Sequence, residues 1–499
     1  MPAADSPVPR FVLINRSQLL LRPVDVERLI DEEHPARSLW DLVGSLDLSP
    51  YHDATAAVKG GAGRPAIDPQ LLVALWLYAY SKGISSAREI SRQSEYEPGF
   101  SWLCGLEPVN HHTLSDFRAG HKAALDDLFA QVLGLLSAEG LITLERVTQD
   151  GTKIRANAGS NTFRSGETLA AHMKLAQEQV QLMEEQAQEE EQVSARQAAA
   201  QKRARQEREQ KLRRAQQEVE RLQKEKKRDR DEYVARASTT DPEAHLMRPS
   251  EGGAVPAYNV QITTDTANGL VVGVAVTTDA IDYRQLEPAL DRMFATHGRY
   301  PAEVLADGDY TNHASVQAAA ARGVDFYGSW KPKWEPGEYD AHGRGPAFQT
   351  RAFVYEAERD CYSCPAGQLL KLHAIQKQPN GVRLRIYRAA EAACQVCSHR
   401  SSCGPKKAKP GWSRSVSRAE EPAVITAFKE KMATAAAQST YRVRSQIAEF
   451  PHAWIKQRCG LRQFRGRGQW KVACEATWAC LSYNLSRWFA LRRCTAATV

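Results

Sequence analysis

The sequence lacks long apolar runs. No window of its 499 residues approaches eighteen consecutive apolar positions, which argues against a membrane-spanning helix. The opening MPAADSPVPRF also lacks the apolar stretch of a secretory signal. Cysteine is scarce for the length, ten in all, with five gathered between Cys361 and Cys403. That is not the pattern of a secreted disulfide scaffold, so a soluble cytoplasmic protein is expected. Glycine and proline are absent from Glu167 to Thr240, where Gln, Glu, Ala, Lys and Arg predominate, a composition that favours long helix over compact domain. Acid is scarce near the far end: from Tyr441 to Cys494 only Glu449 and Glu475 oppose many cations, whereas an acidic run lies near Glu184–Glu191. The formal charge of +7 is therefore segregated, and the C-terminal part suits a polyanionic partner.

A chain of this length holds about two to four domains. Residues 1–140 read as helical, with helix-spaced apolar positions in LRPVDVERLI and ALWLYAY and a glycine-rich loop from Lys59 to Pro65. Ser86 and Glu89 have capping-box spacing, and HHTLSDFRAGH predicts a short helix starting near Thr113 or Ser115. Short helices in tight succession suit a helix-turn-helix module as well as any small helical domain. LERVTQDGTKIRA predicts a strand entering a turn at Asp150 and Gly151. After the charged stretch, in which Leu212, Val219 and Leu222 give a fragment of heptad pattern, YNVQITTDTANGLVVGVAVTT predicts a hairpin turning at Asn268 and Gly269. DYRQLEPALDRMFATHG follows as a helix, PAEVLADGDY as a buried strand, SVQAAAARG as a helix closed by Gly323, and VDFYGSW as a fifth strand. This is an α/β order with an antiparallel start, that of a ribonuclease H-like core.

The expected division is 1–140 helical, 141–160 with 237–330 core, 161–236 charged helical insertion, 331–425 Cys-rich insertion, and 426–499 basic helices. The insertion at 331–425 carries a hairpin with an Asn-Gly turn at Asn380 and Gly381. Two CxxC pairs flank that hairpin, at Cys361/Cys364 and Cys394/Cys397, and Cys403 follows. Thiolates so spaced can complete a zinc tetrahedron, and plain spacing favours the two pairs. Cys104, Cys459, Cys474, Cys480 and Cys494 have no such spacing and read as core residues. A phosphodiester-cutting centre on two magnesium ions needs carboxylates converging from separate elements, the ions lying roughly 4 Å apart. Asp150, Asp307 and Glu449 are the candidates. Taken singly, Asp150 reads as a turn residue and Glu449 as a solvated salt-bridge partner. Trp454, Phe464 and Trp470 could stack on unpaired bases or simply pack between helices. His111, His112, His313 and His452 suit no metal set.

QDGTKIRANAG, YNVQITTD, LADGDYTN and the series Tyr441, Arg444, Glu449, Lys456, taken together, resemble the DDE transposases of bacterial insertion sequences. The narrower likeness is to the group with a Tyr-Arg-Glu-Lys signature and a helical N-terminal domain carrying GRPAIDPQLL-like sequence. The resemblance implies Asp150, Asp307 and Glu449 as ligands of Mg2+ or Mn2+, with Tyr441, Arg444 and Lys456 on the DNA. It implies cleavage and strand transfer at terminal inverted repeats, a homodimer on DNA, and a nucleoid-associated cytoplasmic protein. It favours Cys364, Cys394, Cys397 and Cys403 as Zn2+ ligands, with Cys361 the competitor. Asp309, two residues after Asp307, departs from the family's usual turn and competes as ligand. A magnesium-dependent nuclease that does not join, and a silent DNA-binding descendant, are the alternatives.

Overall fold

Residues 146–155 form the strand on which the rest of the central sheet is laid. The protein's structure is a computed structural model that describes residues 17, 23–55, 65–175, 178, 195–226, 234–249, 252–330, 344–378, 382–405 and 411–496. The long strands of the central sheet are β1 (Arg146–Arg155), β2 (Val255–Asp265), β3 (Val271–Thr277), β4 (Glu303–Ala306) and β5 (Asp325–Gly328). Their order is β3-β2-β1-β4-β5. β1, β2 and β3 pair antiparallel, and β4 and β5 add in parallel. Parallel neighbours need crossovers, supplied by the helices Leu286–His297 and His313–Ala321. The hairpin turns at Asn268–Gly269 with Gly269 at φ +67°, a left-handed conformation that glycine adopts without strain. Gly323, at φ +68°, follows the end of its helix as expected. The mixed α/β order read from the sequence is the order found.

Two local expectations differ. Asp150–Gly151 makes no turn: β1 runs straight through it, with Asp150 opposite Ile262 and Gly151 opposite Gln261. The helix expected from Asp282 starts at Leu286, which leaves Asp282 on the loop before it. β2 is also buried along both faces. Tyr258, Val260 and Ile262 fill one side, and Asn259, Gln261 and Thr263, each at most 3% exposed, occupy the other. Alternation ordinarily marks one solvated face; here the polar face is covered.

The N-terminal helices include Pro69–Ser81, Ala87–Gln93, Pro98–Leu103, His111–Gly120 and Lys122–Ala138. Helix His111–Gly120 starts earlier than expected because the Asn110 side chain caps it, accepting from the His112 amide at 2.8 Å. Ser86 stands at its helix N-cap without a side-chain bond, and the Glu89 carboxylate pairs with Arg92 and Gln93 rather than reaching back to the cap. The helix Gln469–Ala496 joins these helices to the sheet in one hydrophobic core. Its Asn484 accepts from the Val271 amide at 2.8 Å and donates to the Val271 carbonyl at 2.7 Å. Its Glu475, 1% exposed, pairs with Arg118, 6% exposed, at 3.5 Å, so each buried charge has a partner. Cys104, Cys459, Cys474 and Cys480 are buried, and burial raises each thiol's pKa. The side chain of Cys494 lies outside the description.

In the charged stretch a helix spans Ala195–Lys226. Its Leu212, Ala215 and Val219 pack on Leu169, Ala235 and Ala237, where strands Phe163–Ser165 and Arg236–Ser238 pair. The apolar fragment noted in the sequence thus serves a local contact at the root of the excursion. Residues 354–420 contain a second, antiparallel sheet ordered Ser415–Glu420, Arg383–Ala389, Leu369–Lys377, Cys361–Ser363, Val354–Glu356. The Asn380–Gly381 turn, residues 59–64 of the glycine-rich loop and the acidic run at 184–191 lie outside the described residues.

Candidate active site

Asp150 lies mid-way along β1, and Asp307 follows the last residue of β4, the parallel strand beside it. Neighbouring parallel strands thus deliver two carboxylates to one place. Burial pushes the Asp150 carboxyl up to about 6; Arg444 pulls it down, and Asp307 and Asp282 add to the rise. Burial likewise raises Asp307, the Asp309 amide and Arg444 opposing it and the Asp309 and Asp282 charges adding to it. The Asp307 carboxylate accepts from the Asp309 amide at 2.8 Å, while the Asp309 side chain is exposed.

Asp282 is the acid that sequence reasoning missed. Its Oδ1 accepts from Asn259 Nδ2 at 2.8 Å and Gln261 Nε2 at 2.6 Å. Gln261 in turn accepts from Gln149 at 2.9 Å and from the buried Tyr310 hydroxyl, and Thr263 donates to Gln149 at 2.6 Å. This amide ladder lies under the two aspartates and fixes Asp282 near them. The available signal was the run Asn259, Gln261, Thr263 at alternate positions of YNVQITTD. The ladder also explains Gly151. A Cβ there would sit 2.5 Å from Asp282 Oδ1, 2.6 Å from Gln261 Nε2 and 2.9 Å from Asn259 Oδ1. Gly151→Ala is therefore expected to cost about 1–3 kcal/mol through overpacking, read as a lower denaturant midpoint; an unchanged midpoint would show that the ladder yields freely.

The helix Ala435–Gln457 supplies the third side and runs through Pro451. Arg444 Nη1 lies 3.5 Å from Asp150 Oδ2. Tyr441, whose phenol is raised by burial and lowered by Arg444, feels the charge of Asp307. His452 Nδ1 lies 4.0 Å from Asp150 Oδ2. Burial, with Lys456 and Arg444 nearby, holds His452 down to about 3, so it is neutral and that approach is not an ion pair. Its sequence context assigns this histidine no role. Arg444, Ala448, His452 and Ile455 share the inward face by their spacing. Glu449, one residue past Ala448, is exposed and is not among the charges that act most on Asp150 and Asp307. Of the three expected carboxylates, the structure brings two together, while Glu449 stands exposed on the helix that carries Arg444.

The donors here are oxygens, which suit a hard divalent cation. Two repelling, half-buried carboxylates are also what such a cation would relieve. Among the described residues, however, no group of three or more His, Cys, Asp or Glu side chains is gathered to hold a metal ion.

The aromatic expectations divide. Phe464, 1% exposed, packs edge-on against Tyr258 and cannot stack on a base. Trp454 is partly buried against Tyr483. Trp470 is 59% exposed.

In the second sheet Cys364, Cys394, Cys397 and Cys403 line one small pocket. Burial raises Cys394, with Cys397 and Cys364 adding to it, and raises Cys403, with Cys394, Cys364 and Cys397 adding to it. Backbone amides of Gln368 and Arg414 donate to the sulfurs of Cys364 and Cys394 at 3.3 and 3.5 Å. Cys361 is buried in its strand with its sulfur 3.8 Å from Glu356, and it does not line that pocket.

Residues 363–489 match the family model of a transposase DDE domain. Residues 24–120 match that of a transposase domain (DUF772). Together they support a DDE transposase of an insertion-sequence type. The first match contains the Tyr441–Lys456 series and the four clustered cysteines, and the second contains the N-terminal helices through His111–Gly120 but not Lys122–Ala138; Asp150 and Asp307 fall in neither. No curated protein matches the chain. The two transposase domains imply DNA as the partner. No described helix is long and apolar enough to cross a membrane.

Proposed function

We propose that the chain is an insertion-sequence transposase of the group with the Tyr-Arg-Glu-Lys signature, cutting a phosphodiester at each element end and joining the freed 3′ hydroxyl to target DNA. The observation that carries this reading is the meeting of Asp150 and Asp307, from adjacent parallel strands, with Arg444 and Tyr441 from the helix that bears Glu449. Asp150 and Asp307 would hold magnesium or manganese, with Glu449 completing the set when DNA is bound. Such ions, when present, activate the attacking oxygen and stabilise the leaving one. Arg444 and Lys456 hold phosphates flanking the cut, Arg444 by a bidentate fork and Lys456 as a point charge. Tyr441 positions the DNA end beside Asp307. Neutral His452 fills the space beneath Asp150 without contributing positive charge.

The N-terminal helices bind the terminal repeats and contribute to a homodimer that holds two ends at once. Cys364, Cys394, Cys397 and Cys403 hold a structural zinc ion, with their sulfurs supported by the amides of Gln368 and Arg414. The protein acts in the bacterial cytoplasm at the nucleoid.

The test mixes purified protein with labelled element ends, magnesium and a target plasmid. Joined products are expected. Cleavage without joining would assign a nuclease, and retention of DNA without cleavage would assign a binding protein.

A further inference from the structure

The basic loop between the helices Ala435–Gln457 and Gln469–Ala496 takes no part in the site above, yet it is tightly held. The Phe464 amide donates to the Arg155 carbonyl at 2.9 Å, and Asn157 Nδ2 donates to the Arg465 carbonyl at 2.6 Å. Carboxylates take the loop's amides. Glu475 accepts from Arg465 at 3.0 Å and from Gly466, Asp241 from Gly468 at 3.0 Å, and Glu243 from Gln469. These acids are committed to backbone, whereas the side chains of Arg465, Arg467 and Lys471 are exposed. Lys211 and Arg214 of the long charged helix line the same cleft of about 780 Å³, together with the exposed acids Asp116 and Glu207, the latter 3.9 Å from Lys211.

A small-molecule pocket is mostly apolar. This cleft is lined by glycine backbone and by six cations against five acids, and because three of those acids are held by backbone amides the remaining charge is positive, which suits phosphates. Its position adds a length. Asn157 lies seven residues beyond Asp150 on nearly continuous extended chain, at most roughly 23 Å away. That is at most about seven base pairs of duplex at 3.4 Å each.

We propose that this cleft grips the phosphate backbone of duplex DNA, at most about seven base pairs from the bond placed at Asp150 and Asp307. The stated separation rests on the transposase reading; the grip itself does not.

The test measures the affinity of the full-length protein for a 30-base-pair duplex of mixed sequence across a salt series. The triple variant Arg214→Ala, Arg465→Ala, Lys471→Ala is expected to lower the slope of log affinity against log salt by about 2–3, since each lost phosphate contact removes about 0.9. Affinity at low salt should fall roughly tenfold or more. The charge-keeping variant Arg214→Lys, Arg465→Lys, Lys471→Arg should retain both, which separates charge from misfolding. An unchanged slope in the alanine variant, or a loss seen only with single-stranded DNA, overturns the proposal. Ethylation of one or more phosphates within about seven nucleotides of the cut should interfere with binding by the wild type and not by the alanine variant; a difference confined to phosphates farther out contradicts the stated separation. If the slope falls as expected in a protein that never cuts DNA, the catalytic reading fails and the cleft stands. If the slope is unchanged in a protein that cuts, the cleft alone fails.

Discussion

Asp150→Asn is expected to abolish metal-dependent cleavage and, without divalent cations, to make the protein more stable at neutral pH. The loss of activity follows from removing an anionic oxygen from a centre that must hold a cation, and should reach ~10³-fold or more, about 4 kcal/mol in the barrier. The gain in stability follows from burial, which lifts the folded carboxyl from its ordinary 3.8 to about 6, with Asp307 and Asp282 adding to the rise. A raised carboxyl favours the protonated form in the folded state. The sign is therefore that wild-type stability from this group is fully present below pH ~4 and is lost as pH rises through ~6. At neutral pH the ionised side chain costs up to about 3 kcal/mol, which asparagine escapes. Melting curves at pH 7.5 without metal should place the variant above the wild type, and the gap should close near pH 4. Magnesium should raise the wild-type midpoint more than that of the variant. A variant that melts lower at pH 7.5 would show that the ionised Asp150 carboxylate does not destabilise the folded protein.

Removing zinc should unfold the second sheet while leaving the central one. The sheet's own core is small, with Phe353, Leu370, Tyr387, Ala389 and Val416 buried, so it is poorly placed to hold itself without a metal. Zinc bound to four thiolates contributes on the order of 10 kcal/mol, far more than these few side chains leave over after chain entropy. The purified protein is expected to carry one zinc per chain. Cys403→Ser and Cys394→Ser should lose it and expose the segment from 344 to 420 to protease, whereas Cys361→Ser should keep it. Metal analysis and limited proteolysis read both outcomes. Retention of zinc by Cys403→Ser with loss in Cys361→Ser would instead assign the two CxxC pairs.

The strand order was legible because each strand carries alternation or an apolar run and is bounded by a glycine turn or a helix. Asp150 and Asp307 were legible as carboxylates on elements that such an order brings together. What lay hidden was pairwise contact between distant residues. Gly151 reads as a turn residue until Asp282 is seen to press against it. Asn259 and Gln261 read as one polar strand face until Asp282 and Tyr310 cover them. Arg118 and Glu475 bury an ion pair between a short helix near the start and a long one near the end, which no local pattern could announce. The rotation of the helix Ala435–Gln457 was equally invisible. Seven-residue spacing does place Glu449 with Lys456, but the packing of Ala448 and Ile455 decides which face turns inward, and that face carries Arg444 and His452.

The most direct test of the metal centre is joining of labelled element ends to a plasmid in magnesium by Glu449→Gln, beside Asp150→Asn and Asp307→Asn. Glu449 is the carboxylate the folded chain leaves exposed, so its necessity is what distinguishes a three-carboxylate centre from the pair of aspartates alone. The account predicts joined products from the wild type and none from any of the three variants, with DNA binding retained in all. Undiminished joining by Glu449→Gln would contradict it.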